Sequence, residues 1–175
     1  MSPFAAALGP AFTRLPPALR AFHAGPSPRS FSGTATLTHG RGLLAALAIR
    51  LGGFPPAGTT RLRVTVEETE TGEHWHREFG THRLSSRLAF KDRIVERLGP
   101  STLHLLPTFA DDTLHIVITR LTLLGLPMPG ALTPRSSSRE WQAPDGSFAF
   151  DIAAALPGTG LLVRYTGTLT PETLP

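Results

Sequence analysis

From Thr60 to the end of the chain, turn residues interrupt the sequence at roughly the spacing of short antiparallel strands, and the stretches between them alternate apolar with polar. Leu62-Arg63-Val64-Thr65-Val66 alternates, Thr71-Gly72 reads as a turn, and Glu73 to Phe79 returns. Leu84 to Phe90, Asp92 to Leu98, Thr102 to Phe109 and Leu114 to Leu123 follow. After the irregular crossing Gly125-Leu126-Pro127-Met128-Pro129-Gly130 come Ser138 to Gln142, Ser147 to Ile152 and Leu161 to Leu169. Period-two alternation puts one strand face on a core and the other in water. So many short strands with no crossover helix between them need their edges closed off. The pattern predicts a mainly β (α+β) chain: an antiparallel barrel or strongly curved sheet with one or two N-terminal helices packed on it.

The first third supplies those helices. Leu15-Pro16-Pro17-Ala18-Leu19-Arg20-Ala21-Phe22-His23 has proline in its first turn and Leu19 and Phe22 three apart, which suits a short helix stopped by Gly25-Pro26-Ser27-Pro28. Phe31 to Thr38 alternates as a strand with one polar face. Leu43, Leu44, Leu47, Ala48 and Leu51 recur at helical spacing ahead of Gly52-Gly53. Residues 1–14, small, apolar and punctuated by proline, read as a flexible arm; residues 15–170 as one β-rich domain; residues 171–175 as a tail.

Composition removes several functions. Cys 0 excludes a disulfide framework, a thiolate zinc site, an iron–sulfur cluster and a cysteine nucleophile. No apolar stretch approaches the ~20 residues of a membrane-spanning helix. Arg14 is the first charge, so no basic leader opens the chain, and a soluble, cytoplasmic protein is expected. Net charge is +4 and the pI is ≈ 10.9, but the arginines are scattered singly, Lys91 is the one lysine, and no nucleic-acid-binding signature is present. Nucleic-acid binding is not expected.

Hairpin parity identifies polar residues on apolar faces. With Thr71-Gly72 as a two-residue turn, Glu68 faces Trp75, Val66 faces Arg77 and Val64 faces Phe79. Cross-strand partners share a face, so Leu62, Val64, Val66, Trp75 and Phe79 point inward with Arg77 among them. The same parity puts Glu96 between Ile94 and Leu98, Arg120 after Leu114, Ile116 and Ile118, and Tyr165 with Val163 and Leu169. Arg77, Glu96, Arg120, Tyr165 and Trp75 are therefore the candidate ligand-binding residues, with Glu96 and Tyr165 the candidates for any chemistry. Either they fix a carboxylate, carbonyl or enol in an apolar pocket, or Arg77 and Glu96 form a buried ion pair while the Tyr165 hydroxyl meets a backbone carbonyl. Two arginines against one glutamate leave a surplus positive charge, which favours an acidic or oxygen-rich ligand.

Other constellations read as structural. His74 and His76 share a strand face, but it is the outer one, and a third ligand would have to come from Glu67, Glu78 or another strand, so no metal site is expected. His23 ends a helix and reads as a packing or cap residue, with a catalytic role near a barrel mouth as the alternative. Ser85-Ser86 lacks a nucleophile elbow, Asp111-Asp112 reads as a solvated turn, and Met128 as a loop plug.

Taken in order, Leu15-Pro16-Pro17-Ala18-Leu19-Arg20-Ala21-Phe22-His23, Phe31-Ser32-Gly33, Trp75-His76-Arg77-Glu78-Phe79, Glu96-Arg97-Leu98-Gly99-Pro100, Gly125-Leu126-Pro127-Met128-Pro129 and Gly160-Leu161-Leu162-Val163-Arg164-Tyr165-Thr166-Gly167-Thr168-Leu169 resemble the bacterial domain-of-unknown-function family 4166 over residues 15 to 169. Such domains occur alone or attached to a saccharopine-dehydrogenase-like domain. The resemblance implies a fold and no activity. This chain has no Rossmann glycine fingerprint, since Gly40-Arg41-Gly42 lacks the third glycine and the preceding buried strand, so no cofactor is expected on it. Two functions stand at this stage. One is a barrel holding a hydrophobic, partly acidic small molecule, with isomerase or cyclase chemistry as an extension. The other is an accessory module that docks on a dehydrogenase-like partner.

Overall fold

The computed structural model describes residues 2–158 and 160–172. Helix α1 (Pro3–Leu8), a 3-10 turn (Gly9–Arg14) and helix α2 (Pro17–His23) precede β1 (Arg29–His39). Helix α3 (Leu43–Gly52) links β1 to β2 (Gly58–Thr69). A meander then runs through β3 (Gly72–Phe79), β4 (His82–Phe90), β5 (Ile94–Leu98), β6 (Ser101–Ala110) and β7 (Thr113–Leu123). Two-residue strands β8 (Leu126–Pro127) and β9 (Arg135–Ser136) lead to β10 (Ser138–Gln142), β11 (Phe148–Leu156) and β12 (Gly160–Pro171).

All pairings are antiparallel, β12 closes onto β1, and β10 pairs with β7, so ten strands form a closed barrel with β8 and β9 on its margin. Closure removes the exposed edges that the sequence pattern made untenable. About eight strands suffice for an interior that side chains just fill, so ten leave room for more. At the β1–β12 seam Gly33 and Gly167 let the strands approach closely: a Cβ on Gly33 would lie 1.9 Å from the Thr168 carbonyl oxygen, and one on Gly167 2.0 Å from that of Thr34.

The two barrel ends differ. One carries α1, α2 and the turns at 70–71, 91–93, 111–112 and 143–147; the other carries α3 and the turns at 80–81, 99–100 and 124–125. Residues 3–14, expected as an arm, are helical, and Phe4 is buried with its ring centroid 3.9 Å from that of His23 and 6.2 Å from that of Trp75. Proline at the start of α1 and α2 sits where no helical N–H bond is required. Leu15, Leu19 and Phe22 bury the apolar side of the α2 segment into the barrel core, and the Phe22 ring stacks on Phe148 at 3.9 Å.

Two register details depart from expectation. The β2–β3 turn is Glu70-Thr71, not Thr71-Gly72: Val66 faces Trp75, Val64 faces Arg77 and Leu62 faces Phe79. Gly72 instead opens β3, where a Cβ would lie 2.0 Å from the Leu88 carbonyl oxygen of β4. The partners shift by two residues, an even number, so the inner face is unchanged. In β7 the pairing shifts between His104/Arg120 and Leu105/Ile118, leaving Thr119 as an extra residue. This bulge reverses the alternation, and Arg120 is exposed instead of following Ile118 inward.

Candidate functional site

The barrel interior is incompletely filled. A cavity with ≈ 160 Å³ open to the centres of water-sized molecules lies inside it, walled mainly by aliphatic and aromatic side chains. At 10–15 Å³ per water, that is space for on the order of ten water-sized groups. Seven polar or amphipathic side chains reach the wall: Trp75, Arg77, Glu96, Ser136, Ser138, Glu140 and Tyr165.

Arg77 and Trp75 alternate on the inner face of β3 with Glu73 and Phe79. The Arg77 Nη1 donates to Ser86 Oγ on β4 at 2.8 Å, its Nη2 donates to Glu96 Oε1 on β5 at 3.2 Å, and its guanidinium carbon lies 5.0 Å from the centroid of the Trp75 ring. Both members of the ion pair are largely withdrawn from solvent, each 13% exposed. Parity thus placed Arg77 and Glu96 together. The pair meets its own charge, which a lone guanidinium in this setting could not.

Tyr165, from β12, lines the same cavity with its ring centroid 6.0 Å from Phe79 and 5.9 Å from Phe150. Burial pushes its phenol up to about 12; the nearby Arg77 charge opposes this, and the Glu96 and Glu140 carboxylates reinforce it. No hydrogen bond to its hydroxyl is present among the described residues. The phenol is held neutral, an available donor on an apolar wall.

Arg120, expected in the same cluster, is outside it, for the reason the β7 bulge supplies. The charge balance changes with it. The surplus arginine that favoured an acidic ligand is removed, and the remaining Arg77 is neutralised by Glu96.

Sequence parity did not single out the buried polar system at the α2 end. Glu140, on β10, is 6% exposed and reaches His23, with 2.5 Å between its Oε2 and the histidine Nε2. The His23 ring is wholly buried, and its Nδ1 is the buried side-chain atom without a hydrogen-bond partner among the described residues. Behind it, Glu73 takes 2.7 Å and 2.9 Å hydrogen bonds from Arg29 Nη2 and Trp75 Nε1. Arg29 also donates to the carbonyls of Phe22 and His23, covering the C-terminus of α2. Arg29–Glu73 therefore fixes the helix and the Trp75 indole, and Trp75 in turn supports Arg77. Alternation along Ser138–Gln142 puts Glu140 on the face of Ser138, the only local signal that it points inward.

His74 and His76 lie on the outer wall, His76 Nδ1 3.0 Å from Ser85 Oγ, and no group of three metal-ligating side chains occurs among the described residues. No helix among them is long and apolar enough to cross a membrane. No curated protein and no solved structure matches the chain. A family model does, described as a domain of unknown function (DUF4166), and its match runs over residues 15–169, from the residue before the α2 prolines to the buried Leu169 of β12. The match takes in α2 and the polar groups of the cavity wall, and the chain belongs to that family.

Proposed function

We propose that this protein binds a small, predominantly apolar molecule inside the barrel, oriented by one oxygen function such as a carbonyl or hydroxyl. The observation that carries this reading is the apolar cavity in the barrel whose wall presents the neutral Tyr165 phenol and the Arg77–Glu96 pair. A pocket of this kind, apolar with a few convergent polar groups, is the usual form of a small-molecule site. Because Arg120 is outside and Arg77 is paired, a neutral oxygen suits the wall better than a carboxylate. The same pair occupies the carboxylate that an isomerase or cyclase would need as acid or base, so the reading stops at binding.

The test is native mass spectrometry of gently purified protein, followed by organic extraction and mass analysis of what is released. A discrete neutral species of at most a few hundred daltons is expected, in keeping with the size of the cavity. A second measurement covers ligand lost in purification: an uncharged apolar fluorophore is titrated while Trp75 emission is followed in a Trp141→Phe background. Saturable quenching that Ile118→Phe abolishes by filling the cavity supports the reading. Absence of quenching, or quenching that survives the filled cavity, overturns it.

A further inference from the structure

Helix α3 is inverted relative to an ordinary surface helix. Its leucines face water: Leu43 is 90% exposed, Leu44, Leu47 and Leu51 are also exposed, and the helix instead sets the small Ala45 against the barrel. The apolar surface continues beyond the helix. A Cβ on Gly99 would lie 3.7 Å from the Leu51 carbonyl oxygen, and the adjoining Pro100 carbonyl accepts a 2.9 Å hydrogen bond from the Leu124 N–H. Leu124 in that turn and Leu126 at the start of β8 follow, 76% and 66% exposed. The three most exposed large apolar side chains among the described residues therefore share one end of the barrel.

Carboxylates in the turns are sorted the same way. Every turn at the α2 end carries a carboxylate: Glu70 in 70–71, Asp92 in 91–93, Asp111 and Asp112 in 111–112, and Asp145 in 143–147. At the α3 end, segments 40–57, 80–81, 99–100 and 124–134 contain neither Asp nor Glu, while Arg41 and Arg50 flank the exposed leucines. The α2 end mixes these carboxylates with Arg14, Arg20, Lys91 and Arg93, whereas the α3-end segments are apolar and carry cations without carboxylates.

We propose that the α3 end docks on the surface of an anionic lipid bilayer, with the α3 leucines and Leu124 and Leu126 entering the headgroup–acyl boundary and Arg41 and Arg50 meeting lipid phosphates. An exposed leucine face bordered by arginines is the form of an interfacial helix. The segments of this end carry no carboxylate of their own, and the nearby Glu78 on β3 is paired with Arg83, so the face can approach a negative surface. A second copy is disfavoured as occupant, because like faces would bring Arg41 and Arg50 against their own kind. A protein partner is disfavoured because leucine is under-represented among binding hot spots and the patch presents no aromatic anchor. The proposal does not depend on what the cavity holds.

Co-sedimentation of the full chain with vesicles of phosphatidylcholine, alone or mixed with phosphatidylglycerol, tests it. Binding is expected to the mixed vesicles and not to phosphatidylcholine alone. Arg41→Gln and Arg50→Gln should each weaken it about fivefold, and added salt should weaken it further. Leu43→Glu/Leu47→Glu should abolish binding while leaving circular dichroism and the melting temperature unchanged, because both side chains are exposed. Phe90→Ser, at the α2 end, should leave binding unaltered. Failure of the native chain to bind mixed vesicles at low salt overturns the proposal. So does binding that survives the leucine substitutions, or a dimer in light scattering that those substitutions dissociate.

Discussion

Glu140 Oε2 lies 2.5 Å from His23 Nε2, joining the end of α2 to β10 across 117 residues of sequence at the edge of an apolar cavity. The carboxylate supplies the one hydrogen bond the histidine ring makes; its Nδ1 has none among the described residues. Glu140→Ala should therefore leave both ring nitrogens buried and unmet, at a cost of about 2–4 kcal/mol in urea unfolding. Glu140→Gln keeps a polar partner for Nε2 and should lose less than half as much. Equal losses for the two would show that the carboxylate itself is required, and that neither side-chain volume nor a neutral hydrogen bond replaces it.

The Arg77–Glu96 pair separates structure from binding. Arg77→Ala strands a carboxylate in the barrel and should cost about 3 kcal/mol. Arg77→Met/Glu96→Leu removes both charges while keeping volume, and should recover most of that loss. The double variant should still take up apolar molecules but no longer prefer those that carry an oxygen. Single losses that simply add in a double-mutant cycle would show that the two groups do not interact.

How much of this could be read from the residues depended on what each inference required. The inward placement of Arg77 and Glu96 survived a misplaced turn, because Glu70-Thr71 replaces Thr71-Gly72 by an even register shift. Arg120 was lost to a single bulge at Thr119, where alternation reverses and no local residue announces it. His23–Glu140 and Arg29–Glu73 are tertiary matches between distant segments, invisible to periodicity. The leucines of α3 advertised a helix correctly but not its orientation, since spacing alone does not say which side of a helix the barrel takes.

Tyr165 is the chain's one tyrosine, so phenolate absorbance reports this site alone. In the folded protein it should titrate near about 12, whereas the unfolded chain should titrate at about 10. Its neutral form is favoured by folding. The contribution is therefore complete below the unfolded value and is lost as pH rises through the folded one. Urea stability should fall across that alkaline window, and Tyr165→Phe should flatten the decline. A folded-state titration at the unfolded value would mean that the cavity wall does not shield the phenol.

Phe54 borders both the interior cavity and an open groove between α3 and the barrel rim lined by His39 and His82. Its ring is the partition between them. Gly52 leaves it room, since a Cβ there would lie 2.5 Å from the ring. If molecules enter the barrel beneath α3, Phe54→Ala should open the route and speed stopped-flow uptake of an uncharged apolar fluorophore by roughly an order of magnitude. Because the half-buried ring sits at the margin of the core, stability should fall by only about 1–2 kcal/mol. Affinity should change little, because entry and exit share the same opening. Gly52→Ala, which displaces the ring without removing it, should produce a smaller acceleration in the same direction. Uptake unchanged in both variants would place the entrance elsewhere, with the α2 end, where Phe4 plugs the barrel, as the next site to open.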